Sequence, residues 1–185
     1  MAESRGLRLR GAYSMTGLRA DADLMLWCLT EDVDHLRSLA VALRRTQLGA
    51  HLETREVMLG LAGGSEYKPE HKPAFARDEP PRRYLAAYPF IKQPEWYLLP
   101  FERRRELMAE HGRVGREHNV AGSTVRSFGL GDSEFVVAME SDRLEDLVDC
   151  VDALRRVGVR EYTQQDMPVY LGRLQSLEAA LGDLA

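Results

Sequence analysis

Hydrophobic and polar positions alternate along this chain in two different rhythms. Residues 8–18 and 22–30 set apolar and aromatic side chains, as in the run Leu24 to Leu29, between turn signals at Gly17 and at Thr30-Glu31-Asp32, and they predict two strands. In residues 32–49 the apolar positions Val33, Leu36, Leu39, Ala40 and Leu43 recur at spacings of three and four, which is one face of a helix. Asp32 is placed to cap its start and Gly49 to close its end. Residues 51–62 return to an extended pattern. Downstream, the same reading predicts strands at 83–91, 124–130, 134–140 and 162–171, and helices at 100–116 and 143–157. The last helix carries Leu144, Leu147, Val148, Val151 and Leu154 on one face.

The two halves repeat. An ungapped offset of 111 residues carries Leu36 onto Leu147, Ala42 onto Ala153, Leu43 onto Leu154, Arg44 and Arg45 onto Arg155 and Arg156, and the strand at Leu24 onto Phe135. The tetrapeptide Ala-Leu-Arg-Arg occurs in both copies. Such self-similarity through strand, helix and strand points to duplication of one supersecondary unit. The second copy reads β-α-β-β-α-β, the ferredoxin-like order, while the counterparts of its opening strand and helix in the first copy would fall before Met1. The expectation is an α+β protein built from a duplicated ferredoxin-like repeat, the first lacking its opening strand and helix. Residues 1–62 form the first half, 63–82 a Gly- and Pro-containing linker with alternating charges that carries His71, and 83–185 the second half.

Composition narrows the functional classes. With 44% hydrophobic and 29% charged residues over 185 positions, the chain has enough apolar surface for a folded core. A formal charge of -4 argues against a nucleic-acid partner, which would favour a basic face. Cys28 and Cys150 lie far apart without a CxxC pairing, as expected of free thiols in a reducing compartment. No run approaches the ~18 apolar residues of a membrane span, and the Arg-containing start lacks a signal-peptide core, so a cytoplasmic location is expected. No HExxH, Walker loop, Rossmann fingerprint or GxSxG occurs, which leaves zinc-protease, nucleotide and serine-hydrolase readings without support.

Candidate chemistry concentrates in residues 88–116. His111 falls on the apolar face of its predicted helix, where it is either a core histidine satisfied by a backbone carbonyl or a neutral imidazole offered to iron. Gly112 and Gly115 follow it; two glycines weaken a helix unless something large and flat must approach its backbone. Tyr88 precedes Pro89 and is held extended, as a packing residue or as an oxidisable phenol. Lys92 would share that face if the strand continued, where it either positions an acidic substrate or sits on the surface. Trp96 and Tyr97 line the core, or Trp96 takes part in redox chemistry. His71 is an exposed loop residue or a base on the open side of an iron. Arg155, on the last helical turn, offsets the helix dipole or anchors a carboxylate.

The stretches Ser65-Glu-Tyr-Lys-Pro-Glu-His71, Tyr84 through Arg116 and the closing Met167-Pro-Val-Tyr-Leu-Gly-Arg173 resemble the actinobacterial type of the coproheme decarboxylase family, within the chlorite dismutase-like superfamily. The resemblance implies a dimeric-type α/β barrel made of two ferredoxin-like halves, a homopentamer, and coproheme bound in the second half. It implies His111 as the proximal iron ligand, Tyr88 as the radical-forming tyrosine, His71 as the distal histidine and Trp96 near the porphyrin edge. Lys92 and Arg155 are implied as contacts to propionates. The implied reaction uses hydrogen peroxide to convert two propionates of Fe-coproporphyrin III to vinyl groups, yielding haem b. A non-catalytic haem or porphyrin binder of the same fold and a chlorite dismutase or peroxidase are the alternatives. Residues Gly122-Ser123-Thr124 supply no distal Arg of the kind the chlorite-degrading members use.

Overall fold

The computed structural model describes residues 6–70, 72–77 and 79–184, so the expectation for His71 lies outside the described residues. In chain order the elements are β1 Leu7–Ser14, β2 Leu24–Thr30, α1 Val33–Arg44, β3 Tyr84–Lys92, α2 Pro94–Leu98, α3 Phe101–Gly115, β4 Ala121–Arg126, β5 Phe135–Ser141, α4 Leu144–Leu154, β6 Thr163–Gln165, β7 Tyr170–Gln175 and α5 Leu177–Gly182. Three 3₁₀ turns, Leu48–His51, Ala74–Arg77 and Gly158–Tyr162, join them. The offset of 111 read from the sequence carries β2 onto β5 at both ends and the first residue of α1 onto the first of α4.

The chain forms two compact units, one of Met1–Val57 with Leu174–Ala185 and one of Met58–Arg173. The segment read as a linker thus belongs to the second unit, and the closing residues, including α5, group with the first. In the first unit β1 and β2 pair antiparallel from Leu7↔Thr30 to Ser14↔Leu24, with a bulge between Leu9 and Gly11. Asp32 caps α1 by accepting from the Asp34 amide at 2.9 Å, as its position predicted. Leu36, Leu39 and Leu43 on the apolar face of α1 are only half-buried, and Val33 is 59% exposed. Gly49 does not close the helix, which ends at Arg44; it lies in the following 3₁₀ turn, where a Cβ would stand 1.8 Å from the Leu43 carbonyl oxygen.

Among the described residues the second unit sets antiparallel strands in the order β7-β3-β5-β4, with the short β6 also paired to β3, and β3-α3-β4-β5-α4-β7 is the chain order of the motif. Numbered within the motif, that is fourth, first, third, second, the ferredoxin-like arrangement. Side chains alternate across β3: Leu85 and Ala87 are buried on one face, while Tyr84, Ala86 and Tyr88 face the cluster of Met139, Leu147 and Cys150 that joins the sheet to α4. The main packing partners of α3 are instead α4 and the turn at Gly158–Tyr162. Its Leu107 is buried with Trp96, Val157 and Val159.

Two further sequence expectations change. Residues 51–62 do not form a strand: only an isolated bridge joins Leu61 to Arg126, because the charged run at 53–56 is exposed and offers no face to bury. The strand expected at 162–171 splits into β6 and β7, since Pro168 has no N–H to contribute to a ladder.

Candidate functional site

Five of the six predicted site residues lie in the second unit among the described residues: Tyr88 and Lys92 on β3, Trp96 on α2, His111 on α3 and Arg155 at the C-cap of α4. Strand β3 does continue to Lys92, with a register shift between Ile91 and Lys92 where pairing passes to β6. Lys92 is not a surface lysine. It is 8% exposed, its Nζ lies 4.2 Å from the centre of the Trp96 ring and 5.2 Å from that of Phe90. Burial lowers its pKa to about 8, partly offset by the charge of Glu134.

His111 is held in the position its helical spacing gave it, on the same face as Leu107. Burial, and then the charge of Lys92, push the imidazole below its usual range, so it is neutral near pH 7. Its Nδ1 is buried with no hydrogen-bond partner among the described residues. The carbonyl that would satisfy a core histidine is therefore missing at this nitrogen, and the ring fits a ligand to iron, which requires a neutral imidazole. Beside it, a Cβ at Gly115 would meet nothing within 4 Å, and one at Gly112 would meet only the Arg116 guanidinium tip at 3.3 Å. The helix surface at these two positions beside His111 is thus not crowded by neighbouring side chains.

Tyr88 is half-buried, and its hydroxyl donates to Met139 Sδ at 3.4 Å. Burial raises its pKa to about 12, with Asp166 adding and Arg155 subtracting. A thioether is a weak acceptor, so the phenol keeps its proton without being locked to a strong partner. Among the described residues no hydrogen bond joins Tyr88 to His111, Lys92 or Trp96. Trp96, 3% exposed, packs within 6.3 Å of the Tyr67 ring and 5.6 Å of Tyr162. Arg155 is paired with Asp166, as is Arg160 at 3.1 Å.

Several residues around the site escaped the sequence reading. Glu134 Oε2 accepts from the Lys92 backbone N–H at 2.7 Å and from the Tyr97 hydroxyl at 2.5 Å, fixing the corner on which Lys92 and Trp96 stand. Arg104 of α3 donates to Glu66 and to the Tyr67 hydroxyl, and Tyr67 stacks on Phe101 at 5.8 Å. These partners lie 37 to 42 residues apart, beyond any local period. The aromatic and acidic residues at 65–67 were visible only as part of a motif. A cavity of about 290 Å³ in the first unit, lined by Asp23, His51 and Asp183 among others, contains none of the predicted residues. Among the described residues no three His, Cys, Asp or Glu gather to hold a metal by themselves, and no helix is long and apolar enough to cross a membrane.

Comparison with known proteins agrees on one family. The chlorite dismutase family model matches residues 1–175. The chain is 38% identical over 184 residues to a coproheme decarboxylase of Mycolicibacterium smegmatis, covering 98% of this chain and 80% of that one. It is 29% identical over 147 residues to a coproheme decarboxylase of Staphylococcus saprophyticus, of which it spans 58%. Among solved structures, a variant of the chlorite dismutase from Candidatus Nitrospira defluvii superimposes with a TM-score of 0.87 at 26% identity, over 97% of this chain and 79% of that one.

Proposed function

We propose, because this chain belongs to the chlorite dismutase family, that it acts as a coproheme decarboxylase, turning two propionates of Fe-coproporphyrin III into vinyl groups with hydrogen peroxide and yielding haem b. The observation that carries the reading is the neutral His111 imidazole, its Nδ1 unpartnered among the described residues, beside uncrowded helix surface and in the same unit as Tyr88 and Lys92. In each half-reaction one propionic side chain and one hydrogen peroxide give a vinyl group, carbon dioxide and two waters, so atoms and electrons balance.

When bound, the iron porphyrin supplies the redox chemistry, and the chain supplies ligation, orientation and proton movement. In this reading His111 would hold the iron through its neutral imidazole. His71 is the base that moves a proton between the peroxide oxygens. Tyr88, oxidised to the neutral phenoxyl, takes hydrogen from the propionate carbon next to the ring. Its pKa of about 12 means that the hydrogen it must surrender is present at neutral pH. Lys92 and Arg155 hold carboxylates so that this carbon meets the phenol, and Trp96 borders the porphyrin edge. The second half, residues 83–185, carries this machinery, with residues 63–82 bringing the distal base. The assembly is a homopentamer in the cytoplasm.

The test is to load the purified chain with Fe-coproporphyrin III, add peroxide and follow the porphyrin by mass spectrometry. Two successive losses of carbon dioxide with two hydrogens are expected; bleaching alone would leave a non-catalytic porphyrin binder. A chlorite dismutase reading is favoured by the solved neighbours, and oxygen release from chlorite discriminates it. None is expected, since Gly122, Ser123 and Thr124 on β4 provide no guanidinium.

A further inference from the structure

The connection between β6 and β7 carries a charge cluster of which the site described above uses only Arg155. Gln165 pairs with Ile91 and Tyr170 with Ala87, so residues 166–169 leave the ladder on the edge of β3 that runs past residues 88–90. Asp166 opens this excursion. Its Oδ2 accepts from Nη1 of Arg155, at the C-cap of α4, and from Nη1 of Arg160, in the 3₁₀ turn that follows. The carboxylate side chain is 16% exposed, while the two arginines are 38% and 39% exposed, so the cations are the more accessible members of the cluster. Two guanidiniums around one carboxylate leave a surplus of one positive charge, matched to one further carboxylate. Each arginine engages Asp166 through a single nitrogen, and its fork has donors for a second oxyanion. The charges of Asp166 and Arg155 are also felt at the Tyr88 phenol, which puts the cluster in the neighbourhood of the reacting group.

We propose that Arg155, Asp166 and Arg160 form a site that reads the carboxylate of a reacting propionate, with Arg160 as a specificity-determining residue separating the tetracarboxylate substrate from the dicarboxylate product. The proposal rests on the decarboxylase reading and deepens it. The reaction deletes the carboxylates of the two propionates that meet Tyr88. A cation holding one of those groups loses its ligand on turnover and favours exchange of product for substrate. A cation holding a propionate that survives in haem b makes no such distinction. Asp166 sets the strength of the site: by cancelling one of two charges it holds the forks together and keeps the attraction to that of a single ion pair.

The experiment measures dissociation constants of the full chain for ferric Fe-coproporphyrin III and for haem b, without peroxide, by absorbance titration. Arg160→Gln is expected to lower the preference for Fe-coproporphyrin III over haem b by about ten-fold, a discounted value for a charge-assisted contact that is more than a third exposed. Arg160→Lys keeps the charge and is expected to restore most of it. Asp166→Asn removes the competing anion and is expected to raise the preference by several-fold. Shifts of opposite sign are the mark of charge reading; a site that only braces the connection would weaken both ligands together. An unchanged preference in Arg160→Gln, or a change of the same sign in Arg160→Gln and Asp166→Asn, overturns the inference while leaving the decarboxylase reading intact. Failure of the unmodified chain to bind either porphyrin overturns both.

Discussion

Lys92 shows how a single buried side chain ties stability to function. Its folded pKa of about 8 stands below the ordinary 10.5, so between those values the unfolded chain holds a proton that the folded chain has released. Stability therefore rises with pH across that window, and below it the buried charge is a standing cost. Chemical denaturation of the ligand-free chain and of Lys92→Met is expected to show the variant relatively more stable at pH 7, the difference shrinking as pH climbs past 8. A constant difference would mean that Lys92 is not buried as described. Tyr88→Phe is expected to bind Fe-coproporphyrin III within about two-fold of the parent, since only the weak contact to Met139 is lost, and to yield no decarboxylated product in mass spectra. His111→Ala is expected to change the ferric absorption spectrum, and an unchanged spectrum would move the axial ligand elsewhere.

Helix α3 is placed by what surrounds it rather than by its own propensity. Gly158 lets the turn after α4 come close: a Cβ there would stand 3.0 Å from Leu107 Cδ2, and its N–H donates to Glu110 Oε2 at 3.1 Å. Gly158→Ala is expected to cost ~1 kcal/mol, because the obstacle is the end of a movable side chain. Gly112 behaves oppositely. In the last turn of α3, with nothing but the Arg116 tip near it, Gly112→Ala is expected to stabilise the ligand-free chain by ~0.5 kcal/mol in urea titrations. The same variant is expected to weaken Fe-coproporphyrin III binding, because the methyl group occupies the room beside His111. Stabilisation without loss of affinity would remove the glycine from the binding surface. The helices themselves were legible because Leu107, His111 and Val114, or Leu144, Leu147 and Val151, keep a helical period whatever packs on them. The strand at 51–62 was misread because extended patterning does not reveal whether a partner edge exists.

At the scale of the whole chain, duplication is the organising fact. Matching bounds of β2 and β5 at an offset of 111 show one unit used twice, yet the candidate chemistry sits in one copy only. The copies have diverged in burial: α4 buries Leu147 and Cys150, whereas α1 buries no residue. The family resemblance implies five copies in the assembly, and mass photometry at micromolar concentration is expected to return a pentamer. A monomeric result would correct that expectation without touching the site chemistry.

Periodicity, the repeat and the spacing of Tyr88, Lys92 and His111 were determined by the sequence alone, because each depends on residues a few positions apart and on geometry fixed by the backbone. Tertiary structure decided which charges those residues feel. Glu134 under the Lys92 amide, the missing partner of His111 Nδ1, and Asp166 between two arginines all join groups distant in the chain or expose a lack of one. Hydrogen bonding and desolvation act across space, and no local pattern of apolar and polar positions records them.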